Sequence, residues 1–312
     1  MPAWTRLILF GFLLPELLLA SPIYHLQPQE VAPDTYVLFG LKEGLTQKNH
    51  GNIVNTAFLV TEEGVLVLDS GPSKRYGEEL REAIAQVTDQ PIAAVWITHH
   101  HPDHAFGNQA FDLKRVHALP QTIEGLKAQG PGFLDNLYRL VGSAMQGTDV
   151  ALPGQVLEPG VVEFGGHRLR KIALHGHTGA DLAGFDEKTR VLFAGDLVFH
   201  NRALATPHAQ IAPWLESLNR LEQLPFRLLI PGHGEPAPDA APIQQTRRHL
   251  NWLHDVLARA SLQGRHMNEI MQTQIPEEFE DITLFREELA RSVVHLYPKY
   301  EAQTLIFIET EE

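Results

Sequence analysis

The chain has 312 residues, with 25 Lys+Arg against 38 Asp+Glu and a formal charge of −13 when the histidines are neutral. Hydrophobic residues at 44% and charged residues at 20% exclude a largely disordered chain, and the acidic balance leaves no basic track for nucleic-acid phosphates. The absence of cysteine excludes disulfides, thiolate metal sites and cysteine nucleophiles, so attention passes to the 17 histidines and to where they cluster.

Residues 1–20 form an expected signal peptide: Arg6 supplies the positive region, Leu7 to Leu19 is mostly apolar but short for a bilayer span, and Ala20-Ser21 offers a cleavage point. Cleavage would leave a periplasmic or secreted chain with no stable membrane anchor. Thr35–Gly40 predicts a strand, and Asn55–Val60 with Val65–Asp69 a hairpin turning at Glu62-Glu63-Gly64. Lys74–Val87 has helical periodicity through Leu80, Ile84 and Val87. Ile92–Thr98 is the continuous apolar run of a buried strand, which Pro102 prevents from continuing. Arg115–Ala118 reads as a short strand, and Pro120–Met145 as helical but broken at Gly130-Pro131-Gly132.

Strand character then returns. Val161–Phe164 and His167–Ala173 flank a Gly165-Gly166 turn, and Ala183–Asp186 and Arg190–Ala194 flank another. Ala212–Leu224 predicts a helix and Arg227–Ile230 a short buried strand. Beyond Pro236–Pro242 the helical segments Ile243–Leu262 and Ile282–Tyr297 follow, with a last strand-like signal at Thr304–Ile308. The expected organisation is one domain over 21–240 and a helical C-terminal extension, 241–312, packed on it.

Within Thr98–His104 the pattern His-x-His-x-Asp-His places His99, His101, Asp103 and His104 where a strand enters a loop. Neutral imidazoles and carboxylates suit borderline divalent ions such as zinc, and three adjacent histidines make poor core. Three further segments each put a donor in a Gly-rich turn after an apolar run: His177, Asp196 and His233. His100 reads as a spacer, and His175 as solvent-facing or behind the ligands. His167, His249, His254, His266 and His295 read as surface or packing residues. Asn201, Arg202 and His208 follow the Asp196 turn and are expected to border the site and contact substrate. Asn49–Asn55 is a candidate flap, and the insert carrying Tyr138 and Met145 is a candidate pocket wall.

The ordered pieces VLVLDSG (65–71), THHHPDH (98–104), GHTGAD (176–181), FAGD (193–196) and PGHG (231–234) resemble the metallo-β-lactamase-fold hydrolases over roughly residues 33–240. The resemblance implies a four-layered αββα sandwich. It implies that His99, His101 and His177 hold one metal, that Asp103, His104 and His233 hold a second, and that Asp196 bridges them. Asp69 and Thr178 would stand behind these ligands. With two Zn2+ per chain, a metal-bridging hydroxide would attack a carbonyl ester, thioester or amide of a small molecule, with Asp103 orienting it. No Gly-x-Ser-x-Gly elbow competes with that chemistry. The missing cysteine departs from the β-lactamases that use a cysteine ligand, and the bridging aspartate is more like glyoxalase II-type relatives. The runs LVFHNR and TPHAQIAPWLESL (206–218) and RRHLNWLHDVL (247–257) look similar to the SoxH-like branch, which includes the quinoprotein relay system zinc metallohydrolases. The other readings are a non-catalytic metal-binding accessory protein of a periplasmic quinoprotein dehydrogenase system and a periplasmic β-lactamase.

Overall fold

A computed structural model describes residues 22–311 of the chain. The segment assigned above to export, with its cleavage point, lies outside the described residues. The first sheet takes its strands in chain order: β1 (Gln29–Ala32), β2 (Thr35–Leu38), β3 (Thr56–Thr61), β4 (Gly64–Leu68), β5 (Ile92–Ile97), β6 (Val116–Ala118) and β7 (Gln155–Val156). It is antiparallel from β1 to β4 and parallel from β4 to β7. The second sheet runs β12-β11-β10-β9-β8, from β8 (Gly160–Phe164), β9 (His167–Leu174), β10 (Asp181–Asp186), β11 (Val191–His200) and β12 (Leu228–Gly234). Its pairs are antiparallel except β11 with β12.

Strand alternation sorts the apolar residues into layers. In β4, Val65 and Val67 enter an outer core, while Leu66 and Leu68 enter the core between the sheets. In β11, Val191 and Phe193 face the same middle core, while Leu192 and Ala194 face a second outer core. The helices close the outer layers. α1 (Lys74–Val87) starts at Ser73, whose side chain accepts the Tyr76 N–H, and it buries Leu80, Ala83 and Ile84. α3 (Pro120–Val141) joins α1 over the first sheet, with the single turn α2 (Pro102–Ala105) between them in the chain. Over the second sheet lie α4 (Ile211–Glu222), α5 (Ala241–Leu262), the short α6 (Met267–Met271) and α7 (Phe285–Glu311). Each fully buried leucine or phenylalanine in these layers contributes about 1.5–3 kcal/mol. The result is the expected four-layered αββα sandwich, with C-terminal helices on the second sheet.

Three expectations are corrected. α3 is not broken at Gly130-Pro131-Gly132; it runs through with Pro131 inside it. Leu126 before the proline and Leu137 and Val141 after it share one outer core, and Gly130 packs so tightly on Val150 that a Cβ would come within 2.6 Å of it. Tertiary burial therefore outweighs the one backbone hydrogen bond that proline forfeits. The strand-like signal at Thr304–Ile308 lies inside α7, and among the described residues neither sheet takes it as a strand. Asp196 and His233 lie not in turns but inside strands that continue past them. The parallel β11–β12 register shifts at Gly195 and resumes at Phe199↔His233, so the local glycines make bulges instead of exits. Among the described residues, no helix is long and apolar enough to cross a membrane.

Candidate metal centre

The apolar run of β5 ends where β4 ends beside it, and that junction orients the first motif. Asp69, just past β4, accepts the Thr98 N–H at 2.8 Å and the Thr98 hydroxyl at 2.9 Å. It also lies 2.7 Å from His104 Nδ1. With Nδ1–H donated to that carboxylate, His104 presents Nε2 on its other side. Pro102 opens the single turn of α2, and the turn places Asp103 and His104 together.

The His177 turn is built by close approach. Gly176 has φ +136, and a Cβ there would meet the Trp214 Cα at 2.2 Å. Thr178, expected behind the ligands, hydrogen-bonds a carboxylate outside the seven donors. Its backbone N–H and hydroxyl both bond Asp181, the hydroxyl at 2.7 Å, and so hold the turn. Burial pushes the Asp181 carboxyl up to about 7, opposed by these bonds and by one from the His177 backbone. The one local signal for Asp181 is the Thr178-x-x-Asp181 spacing, typical of side-chain-capped turns.

Asp196 reaches the middle of the constellation because residue 232 is glycine: a Cβ there would lie 2.0 Å from Asp196 Oδ1. Asp196 Oδ1 is 3.1 Å from His104 Nε2, and Oδ2 is 3.3 Å from both His177 Nε2 and His233 Nε2. His99 Nε2 stands 3.9 Å from Oδ2. Asp103 Oδ2 is 3.3 Å from His233 Nε2. His233 is oriented from behind by the Ile53 carbonyl, 2.7 Å from its Nδ1, and its ring stacks on Phe199 at 5.2 Å. The segment 49–55, expected as a flap, is instead a clamp on this strand: Asn55 Nδ2 donates to the carbonyls of Pro231 and Gly234.

The donors therefore fall into two groups, His99, His101, His177 and Asp196, and Asp103, His104 and His233; within each, the ligand atoms lie within 4.8 Å of one another. All seven residues are buried. Burial and the neighbouring imidazoles hold His99 and His101 well below the ordinary range, and burial takes His177 down to about 3. Burial opposes charge on His104 and His233 too, but Asp196 and the other carboxylates outweigh it and raise both. Burial likewise opposes charge on Asp196 and Asp103, and the adjoining histidines hold both low. Two carboxylates are thus kept ionised in a buried site whose imidazoles cannot all be protonated. His99 Nε2 is buried without a hydrogen-bond partner, and His104 Nε2 and Asp196 Oδ1, though 3.1 Å apart, are not aligned for a hydrogen bond, an arrangement costly unless a cation takes their lone pairs. The donor set, imidazole nitrogens with two carboxylates, fits zinc-like ions.

A cavity of about 590 Å³ opens over these groups and is lined by Asp103, Asp196 and His233 at its floor. Of the three expected substrate contacts, His208 lines it and also hydrogen-bonds His101 at 2.8 Å. Arg202 lines it but is 4% exposed and paired with Glu288 at 3.2 Å. Asn201 does not line it; its side-chain amide bonds Glu235, because β11 carries it past the cavity rim. The apolar wall comes from Phe133, Leu137 and Leu140 of α3, not from Tyr138, which faces outward on the same helix, or Met145, which is fully buried in the outer core. α7 closes the far side with Glu288, Arg291 and His295, the last read from sequence as surface or packing. His100, the spacer of the motif, is buried; its ring packs near Phe133 and His208, and burial lowers it to about 4. His175 is exposed.

This geometry has counterparts. The family model described as the Metallo-beta-lactamase superfamily matches residues 51–233, and the chain belongs to that superfamily and is a hydrolase. It is 28% identical over 208 residues to the metallo-beta-lactamase IND-1 of Chryseobacterium indologenes, across 64% of this chain and 77% of that protein. It is 31% identical over 156 residues to a hydroxyacylglutathione hydrolase of Nostoc sp., across 47% of this chain and 52% of that protein. Among solved structures, a metallo-beta-lactamase from Pontibacter korlensis superposes with a TM-score of 0.57 at 22% identity, covering 72% of this chain and 99% of the other, which shows the shared fold.

Proposed function

We propose that the protein is an exported dinuclear zinc hydrolase that cleaves an ester, thioester or amide of a small molecule. The observation that carries this reading is the meeting of the two donor groups at Asp196, within 3.3 Å of His104, His177 and His233. His99, His101 and His177 would hold one ion, Asp103, His104 and His233 the other, with Asp196 between them. When bound, such a pair supplies a water acidified to near-neutral pKa and polarises the substrate carbonyl.

The chain's own residues do the rest. Asp103 lines the cavity, 3.3 Å from His233 Nε2, and its ionised carboxylate can orient the attacking water. Asp69 and the Ile53 carbonyl keep His104 and His233 in one tautomer each. The α3 wall excludes water from an acyl group. Arg291 offers a positive charge at the opposite side: it is half exposed and pairs with Glu288 at 3.7 Å, a carboxylate that it shares with the buried Arg202 at 3.2 Å. An acyl compound with an apolar part and an anionic group suits this cavity. The relative named hydroxyacylglutathione hydrolase supports an acyl substrate, and the apolar run after Arg6 supports export.

The test is a panel of ester, thioester, lactone and β-lactam substrates on metal-analysed protein. The expected result is close to two zinc ions per chain, turnover abolished by a chelator and restored by zinc, and a folded Asp103→Ala variant without hydrolysis. Chelator-insensitive turnover would refute the reading. The similarity to IND-1 favours β-lactam hydrolysis as a second reading, and nitrocefin turnover separates it from the first.

A further inference from the structure

His101 poses a problem of proton placement. Its Nδ1 faces His177 Nε2 at 2.9 Å, toward the donor cluster, and its Nε2 faces His208 Nδ1 at 2.8 Å. A neutral imidazole carries one N–H. For Nδ1 to offer a lone pair to a cation, the hydrogen must sit on Nε2, and at a residue only 7% exposed that N–H needs an acceptor from the protein. His104 and His233 solve the same problem with the Asp69 carboxylate and the Ile53 carbonyl. For His101 the acceptor is a residue outside the seven donors.

We infer that His208 is a positioning residue for the metal centre: by accepting the His101 Nε2–H it fixes the tautomer that leaves His101 Nδ1 free, and in the same position it forms part of the cavity wall. The inference rests on the dinuclear reading above. The surroundings of His208 suit the task. The loop that carries it, between β11 and α4, is tied to the His177 turn by the Gln210 N–H bonding the Gly176 carbonyl at 2.8 Å, so both residues flanking His101 belong to one connected unit. The His208 ring lies 5.1 Å from that of His100 and 6.0 Å from that of Phe133, which restrict its rotation. Its Nδ1 can accept only while its own hydrogen is on Nε2, so one bond fixes the tautomers of two rings.

The experiment uses the full chain with His208→Asn and His208→Leu. Asparagine Oδ1 occupies the place of histidine Nδ1 and accepts the same hydrogen bond; leucine fills space without accepting. Zinc affinity is read by competition with a chromophoric chelator, and ligand geometry by the visible d–d bands of the cobalt-substituted protein. The expected result is that His208→Leu weakens one of the two ions about 10- to 100-fold and shifts the cobalt bands, while His208→Asn restores both. If His208→Leu does not fold, His208→Ala, which opens space to the cavity, replaces it. Equal behaviour of the leucine (or alanine) and asparagine variants would overturn the inference. So would a third ion bound by the wild type and lost in both variants, which would make His100, His101 and His208 a cation site of their own. A wild-type chain that binds two ions yet is indifferent to His208→Leu sinks this inference alone, whereas a wild-type chain that binds none sinks the dinuclear reading with it.

Discussion

At the scale of the residue, the centre depends on side chains whose local cost is offset by what they orient. Asp69 is held at φ +61, a conformation that costs a non-glycine residue about 1–2 kcal/mol. In that position its carboxylate serves Thr98 and His104 at once. Asp69→Ala should lower zinc affinity about 10- to 100-fold and also lower the melting temperature of the metal-free protein, because the buried Thr98 N–H loses its acceptor. Chelator competition and calorimetry check the two effects separately; an unchanged affinity would show that Asp69 does not orient His104. Gly232 is the complementary case, small where a side chain would collide. Gly232→Ala should drive Asp196 from the centre and cut turnover more than about 100-fold while circular dichroism stays native. Wild-type zinc content and turnover in that variant would contradict the placement of Asp196.

At the scale of the element, the C-terminal helices contribute chemistry as well as cover. His249 of α5 lies buried between Phe279 and Phe285, with ring centroids at 5.5 and 4.4 Å, and burial takes it down to about 3. The unfolded chain binds this proton near 6.5 and the folded chain does not until about 3. The stabilisation is therefore complete above pH 6.5 and is lost progressively as pH falls from there toward 3. His249→Phe should flatten the acid limb of the stability curve in that window, by about one proton taken up on unfolding. Denaturant titrations at several pH values measure it, and an unchanged slope would mean that His249 is not held neutral. α7 adds Arg291 to the cavity. Arg291→Ala should raise KM about 10-fold for anionic acyl substrates with kcat little changed, since it removes binding common to ground and transition states. An equal rise for neutral analogues would argue against charge recognition.

At the scale of the whole molecule, three apolar layers hold two sheets at a fixed separation, and the donors gather where the ends of β4 and β5 meet the bulged strands β11 and β12. Direct backbone bonds join the sheets there, from Leu182 to Thr98 and from Asn55 to Gly232, each 2.8 Å long. A cation held by donors from both sheets would therefore also pin the two halves together. Removing the ions should lower the melting temperature by on the order of 10 °C, since a ligand at a thousand times its Kd contributes about 4 kcal/mol. Differential scanning calorimetry with chelator and then with added zinc should show a reversible shift, and a melting temperature indifferent to chelator would mean that the donors fold without a cation.

What the amino-acid sequence determined by itself was what local pattern can encode. The continuous, valine-rich apolar run Val65–Leu68 and the period of 3.6 in Lys74–Val87 specified strand and helix, and the spacing His-x-His-x-Asp-His marked a metal-type site, because donors so close in the chain share one turn wherever it lies. Tertiary structure decided the rest, because it rests on partners distant in the chain. Proline does not break α3, since the core on both sides of it is common. The glycines expected to turn the chain after its apolar runs lie inside β11 and β12 and become bulges, since the two strands pair with each other. The His101–His208 bond spans 107 positions and the His233–Ile53 bond spans 180, distances over which no local periodicity carries information and only the packing of the two sheets brings the atoms together.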